Sequence, residues 1–213
     1  EWLGPRFLAD AERLKEKSET SYRHEYLGEV VGSGSAVFEN LKLEPIPEEM
    51  VQAFDRRIFG VDWGYYPDPW AFNGMQYDPA RRALYIFDEA TAYRKSNLET
   101  FGILSKHGIT SADRVIADSA EPKSVGDYKA YGLNCKGAQK GPGSVEYSHK
   151  WLQSLDCIWI DPKRCPDTAR EFSEYEYERD KNGEVISGYP DADNHHIDAV
   201  RYGTELIWKR KGV

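Results

Sequence analysis

The sequence predicts a mixed α/β sheet with helices on both faces. Three apolar, strand-like segments separated by short turns lie between Arg57 and Glu89, a pattern typical of an antiparallel meander. From Ser96 to the C-terminus, amphipathic helical segments alternate with short apolar strands. A meander followed by alternating strands and helices favours one sheet with helices packed on both sides.

Length and composition are those of a folded protein of ordinary domain size. The chain has 213 residues, a hydrophobic fraction of 40% and a mean hydropathy of −0.70. No apolar run approaches the roughly 20 residues of a membrane span. The three cysteines are irregularly spaced, which indicates neither a disulfide framework nor a zinc site and favours a reducing compartment.

Residues 1–45 differ from the rest of the chain. A short amphipathic helix is predicted over Leu8–Lys15, and the glycine- and serine-rich stretch Gly32–Ser35 predicts a loop. Pro45 and Pro47 mark the end of this region. We expect 1–45 to be a linker that follows another domain, and 46–213 to be the globular domain.

The meander and the first helix follow from local signals. Ser96 and Glu99 form a capping box that starts a helix, and Gly108 ends it. Asp78–Arg81 predicts the turn between the second and third strands. The three strands are predicted over Arg57–Gly64, Trp70–Tyr77 and Ala83–Glu89.

The second half predicts strands and helices in alternation. Strands are expected over Arg114–Asp118, Asn134–Ala138 and Cys157–Pro162. The pair Asn182-Gly183 favours a β-hairpin turn. Helices are expected from about Pro122, over Ser144–Leu155 with Trp151 and Leu152 inward, over the acidic stretch Pro166–Glu178, and from about His195 to Lys211.

Two of the predicted strands end in an aspartate. Asp62 and Asp118 would lie side by side if their strands were neighbours, since sites in α/β sheets form beyond the carboxyl ends of strands. Asp198 opens the last helix and shares its face with His195, three residues earlier. Gathered carboxylates repel one another unless a hard cation such as Mg²⁺ or Mn²⁺ binds them. The three aspartates together therefore predict a metal site.

Other interpretations remain open for the individual residues. Each aspartate alone is more simply a cap or a turn residue, and Asp193 or Asn194 would cap the last helix. His195 could orient water or a leaving group, or serve as an ordinary helix-end histidine, whereas His196 points elsewhere and is expected to be structural.

The charge balance excludes a protein that binds nucleic acid simply through a basic surface. Acidic residues number 36 against 28 basic ones, for a net charge of −8. Locally the balance reverses, because four lysines share one short stretch with the single acid Asp127. That stretch is either a solvated loop or a DNA-contacting surface formed by Lys123, Lys129, Lys136 and Lys140.

Three segments resemble the acidic motifs of a known family. Gly60–Gly64, Ile116–Ser124 and Asp193–Tyr202 resemble those of the nuclease domain of the large terminase subunit of tailed bacteriophages. The stretch from Glu25 to Phe38 resembles the segment that joins this nuclease to the packaging ATPase. The phosphate-binding Gly-x-x-x-x-Gly-Lys-Ser/Thr motif of an ATPase does not occur in the chain.

The resemblance implies a ribonuclease H-like fold, with the hairpin around Asn182-Gly183 inserted near the third motif. It implies cleavage of double-stranded DNA during viral genome packaging by a two-metal mechanism. Asp62, Asp118 and Asp198 would bind two Mg²⁺ or Mn²⁺ ions, with His195 as an accessory residue. The implied partners are the ATPase domain, the small terminase subunit and the portal, in the cytoplasm of the infected host.

Two rival functions remain at this point. One is another ribonuclease H-like nuclease of the resolvase or transposase type. The other is a non-catalytic module that docks on a protein partner, in which the carboxylates merely cap helices.

Overall fold

A computed structural model of the chain describes residues 35–180, 186 and 188–209. Its strands are β1 Leu41–Leu43, β2 Arg57–Asp62, β3 Trp70–Asp78, β4 Ala83–Ala92, β5 Arg114–Ala117, β6 Asn134–Gly137 and β7 Cys157–Ile160. Its helices are α1 Glu48–Gln52, α2 Asn97–Lys106, α3 Pro122–Ala130, α4 Ser144–Gln153, α5 Pro166–Glu174, α6 His195–Gly203 and α7 Glu205–Trp208. None of these helices has the length and apolar content needed to cross a membrane.

The strands form one mixed sheet in the order β1-β7-β4-β3-β2-β5-β6. The predicted meander is confirmed, since β3 pairs antiparallel with both β2 and β4. The other neighbours within the described sheet pair in parallel. The carboxyl ends of β2, β4, β5, β6 and β7 therefore meet at one edge of the sheet.

Alternating side chains give the sheet two buried faces. Phe59 and Val61 of β2 pack against α2 and α3 on one face. The alternate residues Gly60 and Asp62 lie on the opposite face of the strand, where α6 packs. The core on that second face joins β3, β4 and β7 to α4, α5 and α6. The predicted helices on both faces are confirmed, and this alternation aims Asp62 toward α6.

Part of the predicted linker lies within the fold. Phe38 is buried in the core with α4 and α5, and β1 extends the sheet beside β7. Ala36 pairs with Glu176 in an isolated bridge. The described residues 35–45 thus belong to the globular unit, because Val37 and Phe38 bury apolar surface there.

Two predicted helices differ from those observed. The acidic helix α5 ends at Glu174, since Tyr175 is extended and the chain turns to pair with Ala36. The last helix is divided at Thr204, whose hydroxyl donates to the Val200 carbonyl, so α6 and α7 are separate. The hairpin predicted around Asn182-Gly183 lies outside the described residues. All three cysteines are free.

Candidate metal centre

Asp62 and Asp118 lie on adjacent strands. β2 and β5 are parallel, with Val61 opposite Ala117, so the residues that follow are neighbours at the sheet edge. The Asp118 amide donates to the Val61 carbonyl at 3.0 Å, and the Trp63 indole donates to the Asp118 carbonyl at 2.8 Å. The two strand ends are therefore held together by a backbone hydrogen bond and by the Trp63 side chain, as the sequence argument requires.

Asp198 reaches the same place from α6, which packs on β2, β3 and β5. The helix approaches β2 so closely that a Cβ built on Gly60 would lie 1.8 Å from the Ala199 carbonyl oxygen. A Cβ on Gly203 would similarly lie 3.0 Å from the Gly60 nitrogen. Two glycines thus permit the contact that brings Asp198 toward Asp62.

The pKa shifts show that the carboxylates lie within electrostatic reach of one another. Burial raises the pKa of Asp62 from 3.8 to about 6; the His195 hydrogen bond opposes this shift, and the charges of Asp198 and Asp118 add to it. The pKa of Asp198 is also raised, chiefly by burial, against the lowering effect of Arg201. Without a cation, ionising this cluster is unfavourable.

Each carboxylate contacts its own basic side chain. Nδ1 of His195 lies 3.2 Å from Oδ2 of Asp62, and Nζ of Lys140 lies 2.5 Å from Oδ1 of Asp118. Arg201 donates to Oδ1 of Asp198. The hydrogen bond to Asp62 is the largest contribution raising the pKa of His195.

The donor set suits a hard divalent cation, because it consists of carboxylate oxygens. As placed, however, the described side chains bring no group of three or more His, Cys, Asp or Glu residues into a cluster that could hold a metal ion. Each basic partner contacts one oxygen of its carboxylate: Oδ2 of Asp62, Oδ1 of Asp118 and Oδ1 of Asp198. A cation on these carboxylates therefore competes with the partners for the same negative charge.

The family model for the terminase RNase H-like domain matches residues 62–205, which include all three aspartates. This chain belongs to the terminase RNase H-like domain family. Its fold is the predicted ribonuclease H-like one, and the resolvase or transposase alternative loses its support.

This terminase domain is similar to known large subunits over about half of their length. It is 45% identical to the terminase large subunit of Bacillus phage SPP1, over 100% of this chain and 51% of that protein. It is 27% identical to the PBSX phage terminase large subunit of Bacillus subtilis strain 168, over 96% of this chain and 48% of that protein. The solved SPP1 large terminase nuclease domain with bound Mn superposes with a TM-score of 0.74 and 42% identity, covering 79% of this chain and 97% of that one.

Helix α6 of this terminase domain begins after Asn194, one of the two predicted capping residues. The Asn194 side chain makes no capping hydrogen bond to the helix. Instead the buried Glu171 carboxylate, from α5, accepts from the His196 amide at 2.7 Å and the Ile197 amide at 3.3 Å. The predicted N-cap position is therefore confirmed for Asn194, but the amides of the first turn are satisfied by a carboxylate distant in sequence.

His196 is a structural residue, as predicted. Its ring is buried, with Nδ1 2.9 Å from Oδ1 of Asn73 and Nε2 2.9 Å from Oγ1 of Thr91. Both ring nitrogens thus have partners in the sheet, on β3 and β4. The neighbouring His195, in contrast, faces Asp62 and lies 3.6 Å from Asp68.

Of the four lysines proposed to contact DNA, Lys140 is the one that the structure brings to the carboxylates. Lys123, Lys129 and Lys136 are exposed, and no described hydrogen bond or ion pair joins them to the three aspartates. Their role as DNA contacts stays a prediction.

Sequence reasoning missed two further neighbours of the carboxylates. Arg201 is buried and links Asp198 to Ser148, to which its Nε donates at 2.7 Å. Tyr202 is buried beside the cluster, and its pKa is raised by burial and then by the charges of the three aspartates. The spacing of three residues between Asp198 and Arg201 on a helix was a usable signal for the first; no local signal pointed to the second.

The raised pKa values predict how the stability of the metal-free domain depends on pH. Because folding raises the pKa of Asp62 to about 6, its protonated form stabilises the fold fully below pH 4, and this contribution is lost as pH rises through 6. The pKa of His195 is also raised, so its protonated form stabilises the fold too, and this contribution is lost at a higher pH than that of Asp62. We expect the free energy of unfolding in EDTA to fall between pH 4 and 7, by up to about 3 kcal/mol from Asp62.

Urea unfolding in EDTA across this pH range measures the effect. The Asp62→Asn variant should show a flatter profile, because the titrating carboxylate is absent. A wild-type stability that rises with pH over the same window would contradict the burial of a clustered carboxylate.

Proposed function

We propose that this domain is a divalent-metal-dependent endonuclease that cleaves double-stranded DNA during viral genome packaging. The observation that carries the proposal is the convergence of Asp62, Asp118 and Asp198 from two adjacent strand ends and one helix. The similarity to a large terminase nuclease domain solved with bound Mn supports it.

In this proposal the carboxylates hold two Mg²⁺ or Mn²⁺ ions. Asp62, at the end of β2, would be shared by both ions, and Asp118 and Asp198 would each hold one of them. A bound metal pair activates water and stabilises the attacking and leaving oxygens of an in-line displacement at phosphorus. Arg201 keeps Asp198 oriented, since it is itself fixed by Ser148.

His195 supplies the acid–base group of the site. Its Nδ1 contacts Asp62 and its Nε2 lies 3.6 Å from Asp68, so the ring is oriented from both sides. The raised pKa keeps a proton on the ring closer to neutral pH. The protonated ring can donate this proton to a leaving oxygen. The neutral ring can instead accept a proton from a water.

The net charge of −8 is consistent with a nuclease that relies on other proteins to bind the DNA. The chain spans about half the length of its terminase relatives. We infer that an ATPase domain, the small terminase subunit and the portal hold the DNA, in the cytoplasm of the infected host. Because such cleavage acts on the phosphate backbone, we expect little sequence specificity.

Plasmid cleavage tests the proposal. Supercoiled DNA should be nicked and linearised with millimolar Mn²⁺ or Mg²⁺ and remain intact with EDTA. Asp118→Asn should abolish cleavage, whereas Asp113→Asn, a change ahead of β5 at the opposite end of that strand, should not. Intact plasmid under every metal condition would favour the alternative, a module that docks on a protein.

We expect His195→Ala to lower kcat about 10²-fold, the scale of a lost acid–base group. Mn²⁺ binding should survive because the three carboxylates remain. Single-turnover cleavage and Mn²⁺ calorimetry separate the two effects. Unchanged turnover would leave His195 with a structural role only.

A further inference from the structure

We propose that Lys140 exchanges partners during the reaction: it holds Asp118 in the metal-free domain and moves to a backbone phosphate of the DNA when a divalent cation binds that carboxylate. This inference rests on the proposed nuclease function and adds to it a positioning residue that couples metal binding to substrate.

The three basic partners of the carboxylates differ in how firmly they are held. Arg201 is 7% exposed and is fixed by Ser148, so it cannot leave Asp198 without disrupting the core. His195 is 20% exposed and lies in the first turn of α6 between two aspartates. Lys140 is 43% exposed on a loop, which makes its contact with Asp118 the most readily exchanged of the three.

The loop fixes the backbone beside Lys140, whose ammonium contacts Asp118 and lies 5.2 Å from the centroid of the Tyr202 ring. The Gln139 amide donates to the buried Glu205 carboxylate at 3.0 Å, and the Gln139 carbonyl accepts from Lys209 at 2.6 Å. Beyond Lys140, the space around Gly141 and Gly143 is open, and Gly143 has φ +74°. The flexible four-carbon side chain of Lys140 therefore extends from a backbone that is held in place.

Lys140 lies between the carboxylates and an open cleft. It lines a cavity of about 180 Å³ that reaches Asp198 and Arg201. It also lines a larger cleft of about 660 Å³ bounded by the first turn of α4, Trp208 and Lys209. A DNA strand that approaches through this cleft would bring its phosphates to the side of Lys140 opposite Asp118.

Charge then determines which partner Lys140 takes. Its ammonium contacts Oδ1 of Asp118, which also accepts from the Ala120 amide at 2.8 Å, so a cation on this carboxylate would compete with the ammonium for the same negative charge. Once displaced, the ammonium loses its contact with Asp118, and a DNA phosphate supplies a new anionic partner. Lys140 therefore opposes metal binding in the absence of DNA and favours it in the presence of DNA, and the coupling is reciprocal.

Mn²⁺ calorimetry without DNA tests the first half of the proposal. Lys140→Gln should bind Mn²⁺ about two- to fivefold more tightly than wild type, the range expected for removing a partly exposed ion pair. Lys106→Gln, a change at the C-terminal end of α2 far from the carboxylates, is the charge-matched control and should bind as wild type does. Equal or weaker Mn²⁺ binding by Lys140→Gln would overturn the exchange.

The salt dependence of binding to a short DNA duplex tests the second half. The measurement uses Ca²⁺ in place of Mn²⁺, with the duplex confirmed intact on a gel. Lys140→Gln should make the negative slope of log K against log salt shallower by about 0.9, the value for one phosphate contact. In EDTA the two slopes should agree, and Lys140→Arg should restore the slope with Ca²⁺. An unchanged slope with Ca²⁺ would overturn the phosphate contact.

These outcomes are distinct from failure of the proposed function. A wild-type domain that binds no Mn²⁺ would contradict the nuclease proposal, and the exchange with it. If the wild type binds Mn²⁺ and cleaves DNA, the nuclease proposal stands. A Lys140→Gln variant that then matches wild type in Mn²⁺ affinity and in the salt dependence of duplex binding would overturn the exchange alone.

Discussion

Asp62→Asn is expected to lower kcat for DNA cleavage by about a thousandfold or more. Asp62 is the carboxylate with a neighbour on each side, since β2 lies beside the strand that Asp118 follows and beneath the helix that carries Asp198. An amide removes the charge that a shared ligand supplies, and metal-ion catalysis contributes several kcal/mol, which corresponds to at least a thousandfold in rate. Plasmid cleavage with Mn²⁺ measures the loss.

Adding metal should reverse which of the two proteins, wild type or Asp62→Asn, is the more stable. In EDTA at pH 7, Asp62→Asn should melt higher than wild type, because a buried carboxylate whose pKa is raised is costly to ionise. With Mn²⁺ the wild type should melt higher, since it gains about 2.7 kcal/mol at a hundredfold excess over Kd and the variant gains less.

A change distant from the cluster serves as the control. Asp156→Asn alters an exposed carboxylate that pairs with Arg82 beside the β3–β4 turn. It should leave both the cleavage rate and the response to Mn²⁺ unchanged. Substantial cleavage by Asp62→Asn, or equal stabilisation of both proteins by Mn²⁺, would make Asp62 a structural residue.

The order of strands and helices could be predicted because its signals are local. The capping box at Ser96 forms as expected, and α2 ends before Gly108. The apolar segment before Asp62 and the one before Asp118 are strands, and both strands end where the polar residues begin. Their adjacency in the sheet followed from no local signal and needed the structure.

Two contacts around the cluster could not be predicted, because they join residues distant in sequence. Glu171 caps α6 from α5, and Lys140 reaches Asp118 from the loop after β6. Phe38 and β1 pack into the fold although composition set 1–45 apart. Composition reports the average character of a segment, whereas burial depends on what the rest of the chain places next to it.

Gly60→Ala should destabilise the domain by at least about 3 kcal/mol, the upper part of the range for overpacking. The added methyl would lie 1.8 Å from the Ala199 carbonyl oxygen and 2.9 Å from the Gly203 nitrogen, and these backbone atoms cannot rotate away as a side chain can. Urea unfolding measures the change. Gly102→Ala in α2, where an added Cβ meets nothing within 4 Å, should instead stabilise by about 0.5–1 kcal/mol.

The same substitution tests what positions the carboxylates. If Gly60→Ala folds, α6 must move away from β2, and Asp198 moves away from Asp62 with it. Mn²⁺ affinity should then fall, although no carboxylate has been changed, while Gly102→Ala keeps the wild-type affinity. A Gly60→Ala variant with native stability and native Mn²⁺ affinity would show that the close packing of α6 on β2 is not what brings the third aspartate to the site.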